Sequence, residues 1–226
     1  MKAVVRGGFL VAVEGVDGGG KTTVAALLAQ YCGERGLLCT FSHEPTGLVN
    51  GRRLRESAKA GRLSPQDELD LFLKDRADHA GRAIRPTLAA GGAVILDRYY
   101  WSNAAYQGAR GIDPFQILAD NEAFAPKPDL VILLDVPPRS GLGRVRGRGD
   151  APDEFERINA LDRARDIFLE LHERSGGTSV CIDASAPLRD VHAAALRHFR
   201  VAAEALIRER ETDPGVIAGA LAVLDA

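Results

Sequence analysis

"FLVAVEGVDGGGKTT" (Phe9–Thr23) decides the fold. An apolar run of strand length, Phe9–Val13, ends on Glu14. Four glycines follow, then Lys21, Thr22 and Thr23 open a helix-like segment. Gly15–Thr22 satisfies G-x-x-x-x-G-K-[ST] at every fixed position, between a strand and a helix. Glycines carry no Cβ, so backbone N–H groups converge on phosphate oxygens. The helix start adds a favourable dipole. Lys21 is placed to reach β- and γ-phosphates, and the Thr22 hydroxyl to ligand Mg²⁺. The expected ATP-binding set is Gly15, Val16, Asp17, Gly18, Gly19, Gly20, Lys21, Thr22 and Thr23. A plain glycine turn before a helix is the bland alternative, and the full spacing and context weigh against it.

Outward from this loop, strand-length apolar runs alternate with longer helical segments. "FLVAVE" (Phe9–Glu14), "LLCTF" (Leu37–Phe41), "AVILD" (Ala93–Asp97), "LVILLDV" (Leu130–Val136) and "TSVCID" (Thr178–Asp183) read as strands. Their apolar character is continuous, as in a parallel sheet covered on both faces. Lys21–Arg35, Pro65–Ala90 and Glu154–Arg174 read as helices between them. The expected fold is α/β, a P-loop NTPase with an about five-stranded parallel sheet flanked by helices on both faces, plus a lid. All 226 residues read as one domain, with the lid at about 144–156 and a helical tail at about 187–226.

Lys plus Arg number 29 against 31 Asp plus Glu, so no bulk nucleic-acid binding is expected. Cys32, Cys39 and Cys181 lack CxxC spacing, and the five histidines lack HExxH, which argues against zinc or a disulfide framework. No run is long enough for a signal peptide or membrane span, so a reduced cytoplasmic setting is expected.

The loop alone does not choose between kinase, GTPase and motor. No N-K-x-D guanine motif occurs, and the length leaves little room for a motor's partner domain. A small-molecule kinase needs a metal site, a cationic cover and an acceptor pocket. Asp97 closes its strand beside Arg98 and is the favoured metal partner, with Asp135 competing. Arg144, Arg146 and Arg148 crowd a glycine-flanked segment that can swing over phosphates, since "VDGG" offers no arginine. The alternative is a solvated basic loop. Phe72 and Arg76 stand at i and i+4, able to stack on a base and donate to a keto oxygen. Taken alone, a core phenylalanine and a surface arginine would be the better reading.

Together these segments resemble the thymidylate kinase family. The likeness rests on the loop, "HEPT", "LFLKDR", "DRYYWSNAAYQG", "KPDLVILLDV" and "RVRGRGDAPDEFE", in the family's order from about Phe9 to Asp183. The resemblance implies transfer of a phosphoryl group from MgATP to dTMP, by a homodimer. It implies that Phe72 stacks on thymine and that Arg76 donates to its O4. Arg98 would bind the acceptor phosphate, Asn103 would face the base edge, and Tyr106 would lie against the sugar with Gln107 nearby. Asp17 would face the acceptor and the metal's water shell. His43, Glu44, Pro45, Leu54 and Ser102 complete the implied substrate set. Lys21, Asp17, Arg98 and the three lid arginines are the implied catalytic group.

Two departures stand out. His43 occupies the place of an arginine that grips the acceptor phosphate, and a neutral imidazole makes no bidentate clamp. Either Arg98 and a neighbour such as Arg52 or Arg53 compensate, or acceptor affinity is weaker and pH-sensitive. Glu154 places an acid where relatives carry a basic or amide residue. The alternatives are a related kinase preferring dUMP or another deoxynucleotide, and a weakly active nucleotide sensor. The apolar tail Val216–Ala226 is expected on the body or at a subunit contact.

Overall fold

The computed structural model describes residues 5–145 and 154–225. In chain order the elements are β1 (Phe9–Glu14), α1 (Lys21–Glu34), β2 (Cys39–His43), α2 (Val49–Ala60), α3 (Pro65–His79), α4 (Arg85–Ala89) and β3 (Ala93–Asp97). Then follow α5 (Tyr100–Gly108), α6 (Pro114–Glu122), β4 (Leu130–Asp135), α7 (Pro138–Val145), α8 (Glu154–Glu173), β5 (Ser179–Asp183), α9 (Leu188–Arg210) and α10 (Pro214–Asp225).

The five strands form one parallel sheet in the order β2-β3-β1-β4-β5. Every residue of β1 is buried, and β3 and β4 are buried up to their terminal aspartates. This is the continuous apolar pattern of central parallel strands. The edge strands β2 and β5 are only partly covered, and Phe41 on β2 is 46% exposed. β2 begins at Cys39 rather than Leu37, because Leu37 still donates its N–H back to Cys32 of α1.

The segment expected as one helix, Pro65–Ala90, is divided. Ser64 caps α3 by accepting from the Asp67 amide at 3.1 Å, with Pro65 in the first turn. Ala80–Ile84 widens into a π-turn before α4. Pro86 supplies the physical reason: it has no N–H to donate, and its ring crowds the carbonyl four residues back. Four helices were not drawn separately from the sequence: α2, α5, α6 and α7.

The strand order places the ligand crevice. The chain leaves β1 through α1 toward β2, and leaves β3 through α5 and α6 toward β4, on the other side of β1. Connections that part in this way open a crevice at the carboxyl ends of neighbouring strands. The loop after β1 and the Arg98 turn after β3 flank it.

Candidate active site

The phosphate loop is held against β4 and α7 by backbone contact. Gly15 has φ 133°, and a Cβ there would lie 2.4 Å from the Leu134 carbonyl oxygen. Gly18 has φ 82°, and its Cβ would lie 2.1 Å from the Gly141 oxygen in α7. Side chains are excluded at both places. Lys21, the first residue of α1, is buried and donates to the Val16 oxygen at 2.7 Å, so its ammonium lies within the curve of the loop. Burial first, and Arg98 second, push Lys21 down to about 7, against the pull of Asp17, Asp97 and Glu14.

Thr22 donates to Asp97 Oδ2 at 2.5 Å. Asp97 Oδ1 is buried with no partner among the described residues. A hydroxyl, a carboxylate and an unmet oxygen make a hard oxygen donor set that fits Mg²⁺. No group of three or more acidic, His or Cys side chains suited to a metal occurs among the described residues. The rival Asp135 is occupied: Arg165 grips both its oxygens, at 2.6 and 2.8 Å.

Arg98 joins the loop to a neighbouring cleft. Its guanidinium pairs with Asp17 and donates to Ser102 Oγ at 3.1 Å. Tyr106 also reaches Asp17, at 3.2 Å. Among the described residues Arg98 is the one non-glycine with positive φ, at 70°. Such a backbone is costly and persists where the surroundings hold it. Glu14 does part of that holding. Wholly buried, it accepts from the amides of Tyr99 at 2.8 Å and Ser102 at 3.2 Å, and from the Ser102 hydroxyl at 2.5 Å. Burial raises its carboxyl to about 7, despite these donors and Arg98.

The cleft has a volume of about 600 Å³ counted to its open mouth, a size suited to a small ligand. Phe72 and Arg76 line it from α3, with Arg98, Ser102, Asn103, Tyr106 and Gln107 opposite. Arg76 is 1% exposed, so its charge needs partners. Glu44 supplies them, accepting from Nε at 2.8 Å and Nη2 at 2.6 Å, while Nη1 donates to Asn103 at 3.3 Å and to Asn121. An arginine has five N–H donors. Four are used among the described residues, leaving one Nη2 hydrogen. The network continues from Asn103 to Gln107 at 2.7 Å and from Gln107 to Glu68 at 2.8 Å, where Arg110 also ends. A cation at one end and a carboxylate at the other fix which way both amides point.

A second cavity opens on the far side of the loop. Gly18, Gly19, Gly20 and Val24 form one wall, and the turn from Ala184 to Leu188 forms the other.

The family model described as thymidylate kinase matches residues 13–195. The chain belongs to the thymidylate kinase family. A thymidylate kinase of Xanthomonas campestris pv. campestris (strain B100) is 51% identical over 191 residues, 83% of this chain and 82% of that one. One of Xanthomonas euvesicatoria pv. vesicatoria (strain 85-10) is 44% identical over 210 residues, 92% and 91% of the two chains. One of Xylella fastidiosa (strain M12) is 47% identical over 193 residues, 85% and 87%.

Most residues expected from the thymidylate kinase resemblance converge here. Asp17 of the loop lines the cleft together with Glu44, Pro45, Phe72, Arg76, Arg98, Ser102, Asn103, Tyr106 and Gln107, while Gly18, Gly19 and Gly20 line the second cavity and Thr22 pairs with Asp97. Leu54 is buried on α2 and lines the cleft's wider mouth. His43 is exposed at the end of the edge strand and lines neither part. Arg52 and Arg53 do not line it either; Arg55 does, donating to the Pro45 oxygen at 2.8 Å. Arg146 and Arg148 lie outside the described residues, as does the Arg144 side chain, although Arg144 falls within α7. The Glu154 side chain is likewise outside them.

Sequence reasoning missed Glu14, Arg55, Glu68, Arg110, Asn121 and the Ala184–Leu188 turn. Glu14 carried a legible signal, a lone acid closing an otherwise apolar strand. Asn121 and the small residues of the turn carried none.

Proposed function

We propose that this chain transfers the γ-phosphoryl of ATP to the 5′-phosphate of dTMP, giving dTDP and ADP. The observation that carries the reading is the position of Arg98. It pairs with Asp17 of the phosphate loop and also lines the Phe72–Arg76 cleft, so one cation serves both half-sites.

ATP lies with its phosphates in the loop, its γ-phosphate by Lys21, and its base toward the Ala184–Leu188 turn. The thymine stacks on Phe72. The one uncommitted Arg76 hydrogen meets its O4, whereas cytosine would present an amino group and oppose donor with donor. Tyr106 stands where it lies against the sugar. Two anions must approach each other, so catalysis is mainly charge neutralisation and alignment. Lys21 and Arg98 supply cations from the described residues, and by resemblance Arg144, Arg146 and Arg148 would add theirs. Thr22 and Asp97 would hold Mg²⁺, which neutralises phosphate charge when bound. The acceptor phosphate is already ionised, so no general base is required. By resemblance the working unit is a homodimer, which sedimentation equilibrium reads directly.

The test is a coupled ADP assay over a panel of monophosphates. dTMP should give rapid turnover, dUMP less, and dCMP a kcat/KM lower by about a thousandfold or more. Lys21→Ala should abolish turnover in a folded protein. Equal turnover with several acceptors would favour a broader kinase, and ATP binding without turnover a sensor.

A further inference from the structure

We propose that Glu14 is a positioning residue for the acceptor half-site: through Ser102 and the Tyr99 amide it holds Arg98 where it grips the acceptor's 5′-phosphate. This rests on the kinase reading above.

A carboxylate at the end of a fully buried strand is costly unless its oxygens are met. Among the described residues those of Glu14 are met by three donors, all within four positions after Arg98: the Tyr99 amide, the Ser102 amide and the Ser102 hydroxyl. An ionised carboxylate offers about four acceptor sites. Three are taken, and Glu14 lines neither part of the acceptor cleft. It is therefore not placed as a base.

What it does is transmitted by a single hydroxyl. Ser102 gives its hydrogen to Glu14 at 2.5 Å, so only its lone pairs face Arg98 Nη1 at 3.1 Å. The carboxylate thus sets the hydroxyl as an acceptor toward the guanidinium. The two amide bonds fix the same turn, in which Arg98 has φ 70°. Arg98 also donates toward the Gly15 oxygen at 3.5 Å, directly after Glu14. A mere cap for α5 would use the same amide bonds but would have no reason to orient the guanidinium.

The experiment measures both Michaelis constants in wild type, Glu14→Gln and Ser102→Ala, with thermal unfolding as the folding control. Wild type must turn over dTMP; if it does not, the kinase reading itself fails. Given that turnover, each variant should raise the dTMP KM about tenfold while the ATP KM stays within about twofold. In an Arg98→Ala background, Glu14→Gln should add nothing further. If Glu14→Gln does not fold, Ser102→Ala compared with and without Arg98→Ala decides: an effect carried through Arg98 vanishes in the Arg98→Ala background, and one that persists there is a direct contact with dTMP and overturns the proposal. A dTMP KM within about twofold of wild type in the folded variants, or both KM values rising together, overturns the proposal.

Discussion

Lys21 illustrates how a single residue reports on its ligand. Burial and Arg98 lower it from an ordinary 10.5 to about 7. A depressed pKa stabilises the fold above the unfolded value, and that contribution is lost as pH falls through 7. A triphosphate in the loop supplies the missing counter-charge and restores the ammonium. Nucleotide binding near pH 8.5 should therefore take up close to one proton. Calorimetry in two buffers of different ionisation enthalpy reads this directly, and a binding enthalpy independent of buffer would refute it. His43 and Arg55 make a second comparison at this scale. The sequence flagged His43 as a lost phosphate clamp, yet it is exposed on the sheet edge. Arg55 lines the cleft mouth instead. Arg55→Ala should raise the dTMP KM about tenfold, and His43→Ala by much less. The reverse order would restore the role to His43.

At the scale of elements, the strands were legible because central parallel strands are apolar without interruption. β2 was less so, since an edge strand carries mixed residues such as Thr40, Ser42 and His43. The short helices went unread although signals existed: Asp113 caps α6 with Pro114 behind it, and Pro138 opens α7. The π-turn at Ala80–Ile84 had no pattern to reveal it beyond Pro86. Nor could sequence show that α7 supports the phosphate loop. A Cβ on Gly141 would lie 2.4 Å from the Asp17 oxygen, backbone against backbone. Gly141→Ala should therefore cost about 2 kcal/mol of stability by overpacking. It should lower Tm by roughly 4–8 °C. It should raise the ATP KM more than the dTMP KM, because the displaced element is the loop. Unchanged Tm and ATP KM would show that α7 yields freely.

Across the whole molecule, the site divides into parts of unequal legibility. The loop is local, so its spacing revealed it, whereas the acceptor role of Phe72 and Arg76 came from the family resemblance and not from their spacing. Contacts such as Arg76 to Asn121 or Glu14 to Ser102 join distant segments, and only the folded chain brings them together. The same holds for α10. Its apolar sequence left open whether it packs on the body or joins subunits, and in the structure it packs on the body. Leu224 is buried, and its carbonyl accepts from Tyr31 and, at 3.3 Å, from Arg35, both on or just after α1. Arg200 of α9 pairs with Asp225. The family match ends at residue 195, and no residue of α10 lines the two cavities or the acceptor cleft. Removing residues 211–226 should thus separate stability from chemistry. Burial of a leucine is worth about 2 kcal/mol, and several partly buried neighbours add to it. Tm should fall by roughly 5–10 °C, while kcat at 20 °C stays within about twofold of the full chain. A large loss of kcat with little change in Tm would mean that α10 acts on the site through α1. A fall in sedimentation mass would instead make its exposed side, which carries Val216, a subunit contact.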